Sequence, residues 1–522
     1  MYNIGYIIIS HGQRKKIMRA SGILMHITSL PSEYGVGTMG REAYNFIDFL
    51  KEAGQSYWQV LPIGPTGYGD SPYQSFSAFA GNPYFIDLEL LEEEGLLSKE
   101  EYADCDFGSV DSEVDYGKLY ENRMPIISLA ASRVKEDAEY LEFCEKNAFW
   151  LDSYALYTAI KASLDGIAIT KWPSELRYFG SEAALSLRDR FKDEISTVKK
   201  TQYLFDKQWM ALKKYANESG IKIIGDIPIY VSPDGADLFA YPECFMLDAD
   251  LKPTEVAGCP PDAFSEDGQL WGNPLYNWKY LDSTGYEWWI KRIESSFRFF
   301  DVVRIDHFRG FESFYCIPYG AKSAVKGRWR KGPGMKLFKA IKEKLGDLDI
   351  IAEDLGTITP PVRKLLKDTG YPGMKVLQFA FSPDSESEYL PHHHIENCVL
   401  YTGTHDNNTT RGWLESADED EARYASEYMN LSAFPENKAW GVVRAAMQSP
   451  AKLCIIPMQD FINADGKARM NTPSTLGGNW VWRIEKGFIN SWLSSVIRKL
   501  TALFSRCEKE EIEAEENEEN SL

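Results

Sequence analysis

Short apolar segments that recur along the chain, each bounded by glycine or proline, constrain its fold more than any other feature. They begin with SGILMHITSL at Ser21 and continue as SYWQVLPIGP at 56–65, IKIIGDIPIYVS at 221–232, FDVVRIDHF at 300–308, LDIIAEDLG at 348–356, CVLYTGTHD at 398–406 and LCIIPMQDF at 453–461. Helical patterns such as GMKLFKAIKEKLG at 334–346 lie between most of them. Strand and helix therefore alternate, which predicts parallel βαβ units in an α/β fold.

The length of 522 residues allows several domains, but a single elaborated α/β barrel also reaches this size. We predict one catalytic domain at 18–507, with a helical insertion around 90–220, where Leu, Ala, Glu and Lys recur at helical spacing. Residues 1–17 precede a second candidate start at Met18, and residues 508–522 contain eight Glu. Both end segments are expected to be disordered.

The net charge of −20 argues against nucleic acid and anionic membrane surfaces as partners. It also disfavours an anionic substrate, so a neutral ligand is expected. Aromatic residues make up 13% of the chain, and most of them fill the core, but exposed rings would suit the C–H faces of sugars.

Eight scattered cysteines without a C-x-x-C pair predict reduced thiols and a cytoplasmic protein. The apolar run at 4–9 is too short for a membrane span and has no basic residue before it. Three consecutive histidines at 392–394 suggest a metal site, but neighbours on one loop do not readily converge on a single ion. We therefore expect a solvated loop there, and no metal or other cofactor.

Acidic side chains follow several of the predicted strands, namely Asp226, Asp306, Glu353, Asp406 and Asp460. One aspartate after a strand is often only a helix cap. Five in register instead indicate a shared pocket, because the carboxyl ends of the strands in a parallel barrel meet at the active site.

The segment DVVRID at 301–306 places a basic residue close to one of these carboxylates. Side chains alternate along a strand, so Val302, Arg304 and Asp306 share one face. In a closed barrel Arg304 would lie beneath Asp306, and its guanidinium is expected to lower the pKa of that carboxyl.

Four motifs, DIPIYVS, DVVRIDHFRG, AEDLG and GTHDNNT, are similar in content and order to the signature regions of the α-amylase clan. Together with SGILMHITSLPS at 21–32 and GCPPDAFSEDGQLWGNPLYNW at 258–278, they resemble the 4-α-glucanotransferases, or amylomaltases, of glycoside hydrolase family 77. The resemblance implies a (β/α)8 TIM barrel with inserted, largely helical subdomains and no C-terminal β-sandwich domain. The chain ends without room for such a sandwich, which favours the transferase branch of the clan.

The resemblance also implies roles for the acidic residues. Asp306 would be the nucleophile, and Glu353 the general acid that later acts as base. A retaining pair of this kind stands roughly 5–5.5 Å apart. Asp406 would hold the hydroxyl groups of the distorted sugar, and His405 would donate hydrogen bonds to the same ring.

Other segments resemble the parts of the family that line the sugar sites. The loop at 67–85 supplies Tyr73 and Ser71 as ligands, and the loop at 474–483 places Asn479 at the border of the cleft. The segment around 256–278 is expected to form a lid loop, with Asp262 as a hydrogen-bond acceptor and apolar cover from Phe264 and Trp271. The full set of predicted substrate-binding residues is Tyr73, Ser71, Asp226, Arg304, His405, Asp262, Phe264, Trp271 and Asn479.

The function that the resemblance implies is retaining transfer of an α-1,4-glucan segment from a maltodextrin to the 4-OH of glucose or of another maltodextrin. A plain α-1,4-glucan hydrolase of the same clan is the alternative. An inert glucan-binding scaffold is disfavoured, because all three of Asp306, Glu353 and Asp406 are present. The sequence does not decide between a monomer and a homodimer.

Overall fold

The computed structural model describes residues 19–67, 69–108, 110–261, 266–382 and 386–508. The predicted end segments therefore lie outside the described residues, apart from Glu508. The strands within the described ranges are β1 Ala20–Leu24, β2 Tyr57–Gln59, β3 Lys222–Pro228, β4 Glu255–Cys259, β5 Gln269–Pro274, β6 Val302–Asp306, β7 Ser313–Pro318, β8 Arg328–Lys331, β9 Ile350–Ala352, β10 Gly373–Val376, β11 Cys398–Tyr401 and β12 Leu453–Pro457.

Eight of these strands close into a parallel barrel in the order β1, β12, β11, β10, β9, β6, β3, β2. The predicted α/β barrel is thereby confirmed. Its register decides which side chains meet. Asp226 on β3 pairs with Arg304 on β6, and Ile305 on β6 pairs with Ala352 at the end of β9. The carboxyl ends of β3, β6 and β9 therefore lie side by side.

Strand β10 was not among the strands predicted from apolar runs. Its four residues include Gly373 and Lys375, so no continuous apolar segment marks it. The Lys375 ammonium lies 3.1 Å from the Glu388 carboxylate, which gives the charge a partner beside the barrel. Pairing with β11 along the whole of β10, and with β9 at Gly373, places the strand despite its polar content.

The helices are α1 Arg41–Glu52, α2 Leu88–Glu93, α3 Tyr116–Lys118, α4 Met124–Ser132, α5 Ala138–Ser163, α6 Glu182–Ser186, α7 Lys192–Glu218, α8 Ala236–Ala240, α9 Trp278–Ser283, α10 Glu287–Phe299, α11 Met335–Leu345, α12 Pro360–Thr369, α13 Thr410–Ser416, α14 Glu419–Tyr428, α15 Lys438–Gln448, α16 Met458–Phe461 and α17 Ser491–Leu503. None of the helices that the structure describes is long and apolar enough to cross a membrane.

Helices α2 to α7 lie between β2 and β3, in the segment where a helical insertion is predicted. The two longest, α5 and α7, pack against each other. Helix α7 is anchored to the barrel at the amino end of β6, because the Trp209 indole N–H donates to the Phe299 carbonyl at 3.0 Å and its ring contacts Phe300. Phe300 lies two residues before the start of β6.

A second, four-stranded antiparallel sheet has the order β5, β4, β7, β8. The predicted lid loop at 256–278 therefore contains two paired strands. Gly258 allows this pairing, since a Cβ atom there would lie 2.1 Å from the Gln269 carbonyl oxygen. Asp262 and Phe264, two of the predicted lid residues, lie outside the described residues.

Candidate active site

A buried arginine joins two carboxylates at the carboxyl ends of β3 and β6. The Arg304 guanidinium donates to Asp226 Oδ2 at 2.6 Å and to Asp306 Oδ1 at 3.0 Å. Side-chain exposure is 4% for Arg304, 0% for Asp226 and 30% for Asp306. Arg304 thus lies beneath Asp306 on the same face of β6, and only Asp306 of the three presents an appreciable surface to the cleft.

Glu353 directly follows β9 and is fixed by backbone hydrogen bonds. Its Oε2 accepts from the His307 N–H at 2.6 Å, and its Oε1 accepts from the Leu355 N–H at 2.7 Å. Its own N–H donates to the Ile305 carbonyl at 3.1 Å, which ties it to β6. The carboxyl group is buried, and each of its two oxygens accepts a hydrogen bond.

The two carboxyl groups differ in acidity. Burial, and then the charge of Asp306, raises the pKa of Glu353 to about 7, although Arg304 and the two backbone N–H groups oppose this rise. Burial also raises the pKa of Asp306 to about 6, with Asp226 and Asp406 adding to the effect and Arg304 opposing it. The expected lowering of the Asp306 pKa is therefore wrong in net direction, because loss of water outweighs the guanidinium. Asp306 still remains the stronger acid of the pair.

A third carboxylate stands after β11. Asp406 is 48% exposed, and its Oδ1 accepts from the Asn471 amide at 2.7 Å. His405 next to it is buried, with Nε2 3.4 Å from the same oxygen. The imidazole stacks on Tyr73 with ring centroids 4.9 Å apart, and the Trp480 ring lies 5.8 Å away.

Tyr73 connects this third carboxylate to the first two. Its hydroxyl donates to Asp226 Oδ2 at 2.9 Å and lies 3.4 Å from His405 Nδ1. A continuous set of polar contacts thus runs through Asp306, Arg304, Asp226, Tyr73, His405 and Asp406.

The remaining predicted site residues have more local contacts. The Ser71 hydroxyl accepts from the Tyr73 N–H at 3.3 Å and so shapes the turn that presents Tyr73. The Asn479 amide oxygen accepts from the Thr472 N–H at 2.9 Å, and its nitrogen donates to Thr475, which closes their own loop. Trp271 on β5 meets the His307 ring edge to face at 4.8 Å.

Neither Asn471 nor His307 was assigned a role from the sequence. Asn471 lies in an irregular loop after β12, and nothing in the spacing of ARMNTPS marks its contact with Asp406. If the alternation of β6 continued past Asp306, the His307 side chain would lie on the opposite face of the strand. The strand ends at Asp306, however, and His307 adopts a left-handed backbone conformation.

The three histidines at 392–394 contact separate partners, and the expected solvated loop holds for His392 and His393 but not for His394, which is buried. The first contacts the Tyr428 hydroxyl, the second the Ser387 carbonyl and the third the Ser449 hydroxyl. Among the residues that the structure describes, no cluster of three or more His, Cys, Asp or Glu could hold a metal ion.

Comparison with known proteins identifies the family. The sequence profile of the 4-alpha-glucanotransferases, glycoside hydrolase family 77, matches residues 25–489. A 4-alpha-glucanotransferase of Clostridium butyricum is 49% identical over 488 residues, which cover 93% of this chain and 100% of the relative. The 4-alpha-glucanotransferase of Streptococcus pneumoniae TIGR4 is 49% identical over 493 residues, which cover 94% of this chain and 97% of that protein.

A solved structure agrees with these relatives. Amylomaltase from Streptococcus agalactiae, determined in complex with acarbose, superposes with a TM-score of 0.91 at 42% identity and covers 94% of this chain and 100% of its own. The chain therefore belongs to the 4-alpha-glucanotransferase family, glycosyltransferases that act on α-1,4-glucans.

Proposed function

We propose that this glucanotransferase works by a retaining mechanism in which Asp306 is the nucleophile and Glu353 the general acid and base. The observation that carries the proposal is the pair of carboxyls on neighbouring strands β6 and β9, of which Glu353 holds its proton more tightly. Two carboxyls with separated pKa values are suited to opposite roles.

In the first step the ionised Asp306 carboxylate attacks the anomeric carbon of a donor maltodextrin. The glycosidic bond breaks, and Glu353 gives its proton to the departing 4-oxygen. In the second step Glu353 takes a proton from the 4-OH of an acceptor, whose oxygen displaces Asp306 from the anomeric carbon. Inversion at both steps retains the α configuration.

Arg304 and Asp226 act in this scheme as positioning residues. Both side chains are almost fully buried, so their influence on a sugar passes through Asp306 and Tyr73. The exposed carboxylate of Asp406 is free to bind sugar hydroxyls, while Asn471 fixes its orientation.

Transfer rather than hydrolysis requires that water be kept from the glycosyl enzyme, since water at ~55 M competes with a dilute acceptor. Strand β5 brings the Trp271 indole against His307, the residue after the nucleophile, and so adds an aromatic group close to the reacting carboxyl. Membership of a transferase family supports the same preference. We therefore favour glucose and maltodextrins over water as acceptors, and disfavour the hydrolase alternative.

We further expect the enzyme to act in the cytoplasm on soluble maltodextrins. Its eight cysteines are scattered and show no pairing pattern in the sequence, as is usual for a reducing compartment.

Incubation with maltotriose at millimolar concentration tests the proposed reaction. A transferase yields glucose and a ladder of longer maltodextrins with almost no net gain in reducing ends. Asp306→Asn protein serves as the inactive control. A rise in reducing ends in step with the loss of maltotriose would assign the chain to the hydrolases instead.

A further inference from the structure

The residue after the proposed nucleophile has an unusual backbone conformation. His307 has φ +53° and ψ +46°, in the left-handed region that residues other than glycine seldom adopt. Such a conformation persists where the surroundings enforce it, and it is often tied to function. Here it turns the His307 N–H toward Glu353 Oε2, at 2.6 Å.

Packing of the imidazole holds this turn in place. The Trp271 ring contacts the His307 ring edge to face, with centroids 4.8 Å apart. The ring of Tyr230, which follows β3, has its centroid 6.5 Å from that of His307. The His307 Nε2 atom is buried without a hydrogen-bond partner among the described residues, so ring contacts fix its position. Trp271 is itself oriented by its indole N–H, which donates to Gln269 Oε1 at 2.9 Å on the same strand.

We propose that His307 is a positioning residue for Glu353, and that strand β5 of the second sheet acts on Glu353 through the contact between Trp271 and His307. The proposal rests on the proposed role of Glu353 as general acid. It assigns to the second sheet a part in proton transfer as well as in covering the cleft.

His307 positions Glu353 through its backbone geometry and not through a charge on its imidazole. Burial, with a smaller contribution from Arg309, lowers the pKa of His307 to about 3, so the ring is neutral at ordinary assay pH. The charged groups that act on Glu353 are Asp306 and Arg304, both on β6. Tyr389 also faces Glu353, with its pKa raised mainly by burial.

Two replacements of His307 distinguish the contribution of its backbone conformation from that of its imidazole ring. Valine is β-branched and disfavours the left-handed region, whereas asparagine tolerates it. His307→Val is expected to lower kcat/KM for maltotriose by about 100-fold, the scale of a lost general acid. His307→Asn should retain a clearly larger fraction of activity. Equal losses in the two variants would contradict a role for the backbone turn.

A donor that needs no proton on its leaving group shows whether the defect lies in acid catalysis. Maltotriosyl fluoride releases fluoride ion without protonation, so kcat/KM for this donor should fall by less than about threefold in His307→Val. The pH at which kcat/KM for maltotriose declines on the basic side should rise by about one unit, because the carboxylate form of Glu353 loses a hydrogen bond. The proposal would be overturned if kcat/KM fell by the same factor with both donors and the pH of the basic-side decline did not change.

Two neighbouring residues of β5 provide a test variant and a matched control for the proposed role of the second sheet. Trp271→Ala should reproduce the defect of His307→Val with maltotriose, in a weaker form, and should also be relieved by maltotriosyl fluoride. Leu270→Ala alters the adjacent, 40% exposed side chain and should behave like wild type. If Trp271→Ala and Leu270→Ala behave alike, strand β5 does not act on Glu353 through His307.

Glu353→Gln distinguishes failure of this inference from failure of the proposed function. If Glu353 is the acid, this variant also recovers kcat/KM with maltotriosyl fluoride. If Glu353→Gln recovers and His307→Val does not, the positioning role is wrong and the acid assignment stands. If Glu353→Gln fails to recover, the acid assignment itself is wrong.

Discussion

The groups around Asp306 and Glu353 decide which of the two carboxyls keeps its proton. Both lose contact with water, and this raises both pKa values. Asp306 alone receives a direct hydrogen bond from the Arg304 guanidinium, whereas Glu353 is bonded by two backbone N–H groups. Strand alternation was enough to predict that Arg304 lies beneath Asp306. Burial could not be inferred in the same way, because it depends on side chains from distant strands such as Asp226.

A bell-shaped dependence of kcat/KM on pH follows from these two values. In the proposed mechanism activity requires Asp306 ionised, so it should be lost as pH falls below about 6, and it requires Glu353 protonated, so it should be lost as pH rises above about 7. The maximum is expected between these limits. Because the two carboxyls interact, each limb of the pH profile reports the titration of the pair and not of one residue alone. An activity that keeps rising well above neutral pH would contradict the assignment of Glu353 as the acid.

At the level of elements, the strands with continuous apolar runs were predictable, and these make up most of the barrel. Strand β10 was not, because Lys375 interrupts its pattern and only its neighbours define it. The second sheet was also missed, since its strands β4 and β5 lie in a segment that resembled a loop. Short strands of mixed polarity are specified by pairing partners, which a single sequence does not display.

The loops at the carboxyl ends of the strands could likewise be predicted only in part from a single sequence. Asp306, Glu353 and Asp406 were predicted as site residues from their places after apolar strands, and the family motifs supplied the roles proposed for them; the family itself is confirmed by the comparisons. Their partners Asn471 and His307 were harder to assign. The contact of Asn471 depends on the path of a loop after β12, and the turn at His307 depends on ring packing from β5.

The segments that follow β11 and β12 are joined by a buried carboxylate in α16, whose removal should weaken the fold. Asp460 accepts from the Thr402 hydroxyl at 2.5 Å and from the N–H and hydroxyl of Thr410 at 2.7 Å each. Asp460→Ala leaves three donors unpaired, and we expect the free energy of unfolding to fall by about 3 kcal/mol in chemical denaturation. Asp347→Ala, at an 87% exposed side chain, is the control and should change little. Equal stability of the two variants would contradict the structural role of Asp460.

For the whole molecule, the expectation of a neutral substrate agrees with the family. A chain with a net charge of −20 repels anionic ligands, whereas an uncharged glucan is unaffected by this field. The predicted 4-alpha-glucanotransferase function and barrel fold are both confirmed by the family match and the amylomaltase structure.

The chemistry proposed for the whole enzyme needs no metal ion or nucleotide. The energy of the cleaved α-1,4 linkage is kept in the bond to Asp306 and returned when the acceptor attacks, and carboxyl groups carry the proton. Disproportionation of maltotriose should therefore persist after treatment with EDTA and dialysis. Activity that is lost on chelation and restored by one added metal would contradict this expectation.

The central claim, that Asp306 forms the covalent link to the glucan, is tested most directly by trapping that link. Glu353→Gln protein incubated with maltotriosyl fluoride should form the glycosyl enzyme and release it slowly, because the second step lacks its base. Mass spectrometry is predicted to show one added maltotriosyl group, located on the peptide that contains Asp306. Release of fluoride with no adduct, or an adduct on another residue, would contradict the account.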